Sequence, residues 1–303
     1  MSSNNSYIVA VRRIFIGTSG RMRIIWQLIL TLFIWYVLSF TSAYLLSRLM
    51  LHIFNGWGVT STNITRAPAW VQLIAVYQTQ LNGAASALIA SVIAVFALKR
   101  FAGISLRPSM RSMKASVLGS VAGIVIPLLL MGIFLLCDSM RITMPVPHFS
   151  IHILLVLSFS AVTAIAETLI AFGYMRIVCT RQYGRVTGIM ISAIVFCLMN
   201  MLSFGTVLSA INALLIGIVL SIVSEKFGLS GCAALRCAWL WTISSISGFP
   251  ESSHGLFTMY PVSENIITGG YYGPEAGLAV TSICFTVCLT SLIIPSIQKL
   301  KKS

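Results

Sequence analysis

The chain has 303 residues, of which 57% are hydrophobic and only 9% charged, with a mean hydropathy of +0.95. A water-soluble domain of this length cannot bury so much apolar surface, so the composition excludes a soluble globular protein and makes lipid the solvent. The formal net charge of +14 raises nucleic acid as a partner, but its placement along the chain argues against that.

Uncharged stretches of about 20 residues cross a hydrocarbon core about 30 Å thick. The sequence therefore predicts an all-α, polytopic membrane helix bundle of about eight transmembrane helices. Residues 24–298 form the membrane domain, between a basic N-terminal segment, 1–23, and a basic tail, 299–303. The first span, Ile24–Leu46, is longer than a signal-peptide core and lacks a small-residue cleavage site, so it reads as a start-transfer helix that is retained. A glycosylation sequon, Asn63-Ile-Thr, follows. It matters only in a eukaryotic secretory pathway. Trp70–Thr79 either lengthens the second span, Gln80–Leu98, or lies along the interface. The third span, Ala115–Cys137, carries Gly119 and Gly123, a Gly-x-x-x-Gly pair suited to close packing inside the bundle or to dimerisation. Phe149–Met175 is the fourth span. Val186–Leu202 and Thr206–Ser224 share one uncharged stretch, divided at Ser203-Phe-Gly205, and Leu229–Ser247 and Ala276–Ile297 complete the set.

With the N-terminus in the cytoplasm, the inner segments hold Arg12, Arg13, Arg21, Arg23, Lys99, Arg100, Arg107, Arg111, Lys114, Arg176, Arg181, Arg185, Lys226, Lys299, Lys301 and Lys302. The outer segments hold only Arg48, Arg66 and Arg141. This asymmetry follows the positive-inside rule, places both termini inside, and turns the basic excess into a record of topology and of contact with an anionic inner leaflet. No nucleic-acid partner is expected. The seven cysteines (Cys137, Cys179, Cys197, Cys232, Cys237, Cys284 and Cys288) fall in spans or on the inner side. They read as small buried hydrophobes, with no external disulfide framework.

Two ionisable acid or base side chains fall well inside the spans, Glu167 in the fourth and Arg236 in the seventh. Glu167 precedes the inner-end residue Arg176 by nine residues, roughly 13 Å of helix. Arg236 follows Lys226 by ten, about 15 Å. Opposite charges at one depth, each costly alone, are expected to pair. The simpler alternatives are an Arg236 that snorkels along its stem and a Glu167 that sits protonated.

The segment "ETLIAFGYM" (Glu167–Met175) resembles the first motif, Glu-Glu-x-x-Phe-Arg-Gly, of the CPBP family of intramembrane metalloproteases, also called the Abi or CAAX-protease-like family. "FCLMN" (Phe196–Asn200) resembles the second, Phe-x-x-x-His. Aligning Trp239 with a Trp often found in the third motif, His-x-x-x-Asn, puts Arg236 at its His and Leu240 at its Asn. "GFPES" (Gly248–Ser252) and "TGGYYGPEAGL" (Thr268–Leu278) resemble the loop and the Gly-Gly-x-x-Gly-Pro-Glu turn before the last span of many bacterial members. The resemblance covers roughly residues 100–297 and implies the family's eight-span fold.

It further implies hydrolysis of a peptide bond within the membrane, with Glu and His side chains holding zinc or activating water. A site of that kind needs neutral imidazoles, a carboxylate and a base. At the six motif positions this chain keeps only Glu167; Thr168, Phe172, Asn200, Arg236 and Leu240 stand where the family has Glu, Arg, His, His and Asn, although Gly173 matches. No zinc or other cofactor is expected from this set. Arg236 supplies instead the counter-charge that a metal would have given, and Glu167, Arg236 and Asn200 are expected to form a polar plug at the family's catalytic site. Counted from Arg185, Asn200 comes out deeper, at roughly 22 Å, so it either belongs to a helix starting below the surface or sits beside the pair.

His148 and His152 have the i,i+4 spacing of a zinc site but lack a recognisable third ligand. Glu251, His254, Glu264 and Glu275 fall in an outer loop rich in glycine, proline and aromatics, where acids are commonly just solvated. The leading expectation is a catalytically degenerate multi-pass protein of the bacterial cytoplasmic membrane. It would bind a peptide or membrane-protein partner, with bacteriocin immunity or peptide maturation suggested by analogy. An active intramembrane endopeptidase using Glu167 is the alternative, and a transporter with the Glu167–Arg236 pair lining its pathway is a third.

Overall fold

In lipid every backbone N–H and C=O must find its partner within the protein, which leaves helices as the economical solution for a chain this apolar. The computed structural model of the chain describes residues 23–59, 67–102, 113–143, 151–203, 205–246, 248, 256–263 and 265–300, nearly all of them helical. The chain forms two compact units, Met1–Leu106 and Arg107–Ser303. Among the described residues, five helices are long and apolar enough to cross a membrane, and two apolar helices, Arg185–Met199 and Leu278–Ser291, are shorter. This is an all-α membrane helix bundle.

The first unit is a pair of long helices, α1 (Ile24–Gly56) and α2 (Ala69–Ala102). Trp70–Thr79 thus extends the second helix. The hydropathy of α1 is inverted: Ile25, Ile29, Phe33, Val37, Phe40 and Tyr44 recur every three or four residues and are exposed, whereas Gln27, Thr31 and Trp35 are buried. A stripe of that kind suits lipid outside and a polar helix–helix seam inside. Trp35 Nε1 donates to Ser91 Oγ at 3.1 Å and Asn82 Nδ2 to Ser47 Oγ at 2.9 Å. Trp57 and Trp70, both about half exposed, meet edge to face with centroids 5.0 Å apart, the placement expected of interfacial tryptophans.

The second unit begins with α3 (Met113–Leu136) and strand β1 (Met140–Thr143). Next comes a helical run of three parts: α4 (Ile151–Glu167), a π-helical segment (Thr168–Met175) and α5 (Arg176–Tyr183). Gly184, at φ +92°, reverses the chain into α6 (Arg185–Met199), which ends at a 3₁₀ turn, Met201–Ser203. Thr206 caps α7 (Val207–Trp241), its Oγ1 accepting from Ser209 N. The stretch expected as spans six and seven is one helical run, broken at Gly228 by a φ of +79° that a side chain would strain. It ends in a second π turn, Thr242–Ile246, followed by β2 (Thr258–Pro261) and the 3₁₀ turns Gly270–Tyr272 and Pro274–Ala276. Helix α8 (Leu278–Leu300) therefore begins two residues later than the last predicted span.

Helix α7 organises this unit. Gly119 and Gly123 of α3 rest on the backbone of Gly231 and Leu235, so close that a Cβ at either glycine would collide with it. The Gly-x-x-x-Gly pair is spent on packing within the bundle. On the other half of α7, Gly217 abuts Ala193 of α6, and the hydroxyls of Ser192 and Ser221 share a 2.9 Å hydrogen bond. Strands β1 and β2 pair antiparallel, Met140 opposite Pro261 and Thr143 opposite Thr258. The ribbon was not anticipated from the sequence. Its Met140 and Met259 join Leu130, Met131, Phe134, Trp239, Val280 and Cys284 in one buried apolar cluster, and so tie the loops at that end to α3, α7 and α8.

Candidate functional site

Glu167 is the last residue of α4, at the point where the helix widens into the π-helical Thr168–Met175. Such segments are rare and often accompany functional sites. Almost every side chain of this one is buried, with Ile170, Ala171, Phe172 and Met175 fully so. Gly173 lets Leu229 of α7 approach the widened turn. The halves of α7 meet at Gly228, and Arg236 projects from the second half toward α4.

The expected pairing is present. Arg236 Nε donates to Glu167 Oε2 at 2.9 Å, with 5% and 8% of the two side chains exposed. The guanidinium does not snorkel; it lies over the ring of Phe196, 5.2 Å from centroid to Cζ. Phe172 packs beside Phe196 at 5.7 Å, so the π segment and α6 supply an aromatic floor.

The third member differs from expectation. Asn200 does not join the pair: at the C-terminal end of α6, its Nδ2 donates to Phe196 O at 3.0 Å. The guanidinium is completed by Glu275, whose Oε1 accepts from Arg236 Nη1 at 2.8 Å and from Trp239 Nε1 at 2.7 Å. The expectation that Glu275 is a solvated loop acid is thereby overturned. Its 3₁₀ turn is pulled down onto the bundle by Asn212 of α7. Asn212 Nδ2 donates to the carbonyls of Glu275 and Gly277, each at 2.9 Å, and its Oδ1 accepts from Thr281 Oγ1 at 2.6 Å. Asn212 is fully buried, and a buried amide with both N–H groups and its oxygen engaged holds its partners firmly. Asn200 instead lines a cavity of ≈ 70 Å³ with Phe196, Ser209, Arg236, Tyr272 and Glu275.

One guanidinium between two carboxylates is a poor metal site. Glu167 Oε2 is engaged by a donor with no lone pair, and Arg236 stands where a neutral ligand would be needed. The residues present do not fit zinc. Among the described residues, no three His, Cys, Asp or Glu side chains gather as a metal would require. His152 is described and His148 is not, so the predicted histidine pair lies partly outside the described residues, as Glu251, His254, Glu264 and Asn63 do entirely. Leu240, which was expected at the position of an Asn, carries no polar group. Compared with known proteins, the chain matches no family model, no curated protein and no solved structure.

Proposed function

We propose that the chain is a catalytically degenerate CPBP-like protein of the bacterial cytoplasmic membrane. It crosses the bilayer about eight times, with both termini inside and its basic inner segments on anionic headgroups. Its role is to bind a peptide or membrane-protein partner, with immunity or peptide maturation as the analogy suggests. The observation that carries this reading is the buried Arg236–Glu167 contact at 2.9 Å: the one acid kept from the family's motifs is neutralised by a side chain that has replaced a ligand. The neighbouring cavity, lined by Asn200, Ser209 and Glu275, gives a partner polar groups to meet.

Elemental analysis of the purified protein, with a cleavage assay on membrane peptides, tests this. The expected result is less than stoichiometric zinc and no cleavage above background in either the wild type or Glu167→Gln. Stoichiometric zinc, or cleavage that Glu167→Gln abolishes, would replace the proposal with an active endopeptidase.

A further inference from the structure

The two carboxylates on Arg236 are held very differently. Glu167 is part of a helix and 8% exposed; Glu275 hangs from a short turn and its side chain is 37% exposed. Gly273 and Gly277 flank that turn, Gly273 at φ +87°, a conformation that a residue with a Cβ adopts only under strain. A single oxygen, Glu275 Oε1, accepts from both Arg236 and Trp239. A buried guanidinium and an indole N–H converging on one point form a built anion site, and the group now filling it is the most exposed member of the cluster. Beside the turn runs a groove of ≈ 520 Å³ lined by Thr206, Leu208, Ile266, Gly270 and Tyr271, which shares the Tyr272 wall with the small cavity under Glu275. Its volume suits a few residues of a peptide.

We infer that Arg236 and Trp239 form a receptor for the carboxylate of an apolar ligand, in the first place the free C-terminus of a peptide lying in the groove, and that Glu275 occupies it as an intramolecular stand-in. Exchange swaps one carboxylate for another, so no charge is added to the interior, and Glu167 stays on Arg236 throughout. Glu275 leaves by rotation of its own side chain, while Asn212 keeps the backbone of the Pro274–Ala276 turn in place. The inference rests on reading the cavity as a partner site and assigns that partner a chemistry.

The test is a titration of full-length protein in nanodiscs with N-acetyl-Leu-Leu-Ala as the free acid, as its C-terminal amide, and with octanoate. The acid binds the wild type saturably and the amide does not. Glu275→Gln, which keeps the shape and removes the competing charge, tightens binding of the acid by about tenfold or more and leaves the amide unchanged. In the same background Trp239→Phe loses most of that gain. Octanoate binding as well as the tripeptide acid assigns the site to a carboxylate on any apolar chain; weaker binding assigns it to peptides. Equal binding of acid and amide to the wild type, or an unchanged affinity in a folded Glu275→Gln, overturns the inference. The wild-type comparison decides the matter even where a variant fails to fold. Zinc or cleavage would sink the pseudo-protease reading and leave this titration standing.

Discussion

Two ion pairs of nearly equal length show how little distance alone decides. Arg185 and Glu225 meet at 2.8 Å with 58% and 32% of their side chains exposed, and surface pairs of this kind contribute about 0–1 kcal/mol. Arg236 and Glu167 meet at 2.9 Å away from water, where removing one partner strands the other. Arg236→Ala is therefore expected to lower stability by roughly 3–5 kcal/mol, and adding Glu167→Gln should return part of the loss, which unfolding in mixed micelles would measure. Additive effects of the two substitutions would contradict the pair. Glu167→Gln alone should cost less, because Arg236 retains Glu275. The pair was legible in the sequence because each residue sits in a span whose end is marked by a basic residue, so depths could be counted. Glu275 was not. An acid after Gly-Pro in a loop gives no sign of how far that loop dips, and the deciding contact comes from Asn212, a residue that sequence reading passed over.

At the scale of elements, the helices were recoverable from apolar runs and their breaks from the basic residues between them, Arg176 to Arg185 and Lys226, and from the Ser203–Gly205 stretch; the turns at Gly184 and Gly228 emerged only with the structure. The π segments were not, because a widened turn leaves no mark on hydrophobic periodicity. Neither was the β1–β2 ribbon, four residues to a strand in segments that read as loop. The turn carrying Glu275 depends on one buried amide for its position. Asn212→Leu removes the donor to the Glu275 carbonyl and the shortest of the donors to Gly277 O, which keeps its longer bonds from Thr281, at a cost of about 1–3 kcal/mol. Hydrogen exchange should then accelerate at the amides of Gly269, Gly273 and Gly277, which close the local turn bonds. Unchanged exchange there would show that the glycine-rich turn holds its own shape.

For the whole molecule, the distribution of basic residues fixes a proposed orientation that the helices themselves do not reveal. In that orientation α3 runs outward and Cys137, just beyond its end and exposed where a buried residue was expected, faces the exterior, while Cys179 and Cys232 are buried. A membrane-impermeant maleimide should thus label Cys137 on intact cells and reach Cys179 and Cys232 only after unfolding. Labelling of Cys137 that waits for permeabilised membranes would invert the topology. All seven cysteines are free thiols, so no crosslink competes with the reagent.

The three-residue charge cluster also sets a timetable for biosynthesis. Glu167 leaves the ribosome 69 residues ahead of Arg236, an interval of about 3–14 s at ordinary elongation rates, and Glu275 follows 39 residues later still. A nascent chain accordingly presents first a lone acid, then a neutral couple, and only near its end the finished trio. An insertase or a quality-control protease that surveys unpaired charge could tell by this sequence of states how much of the polypeptide has arrived.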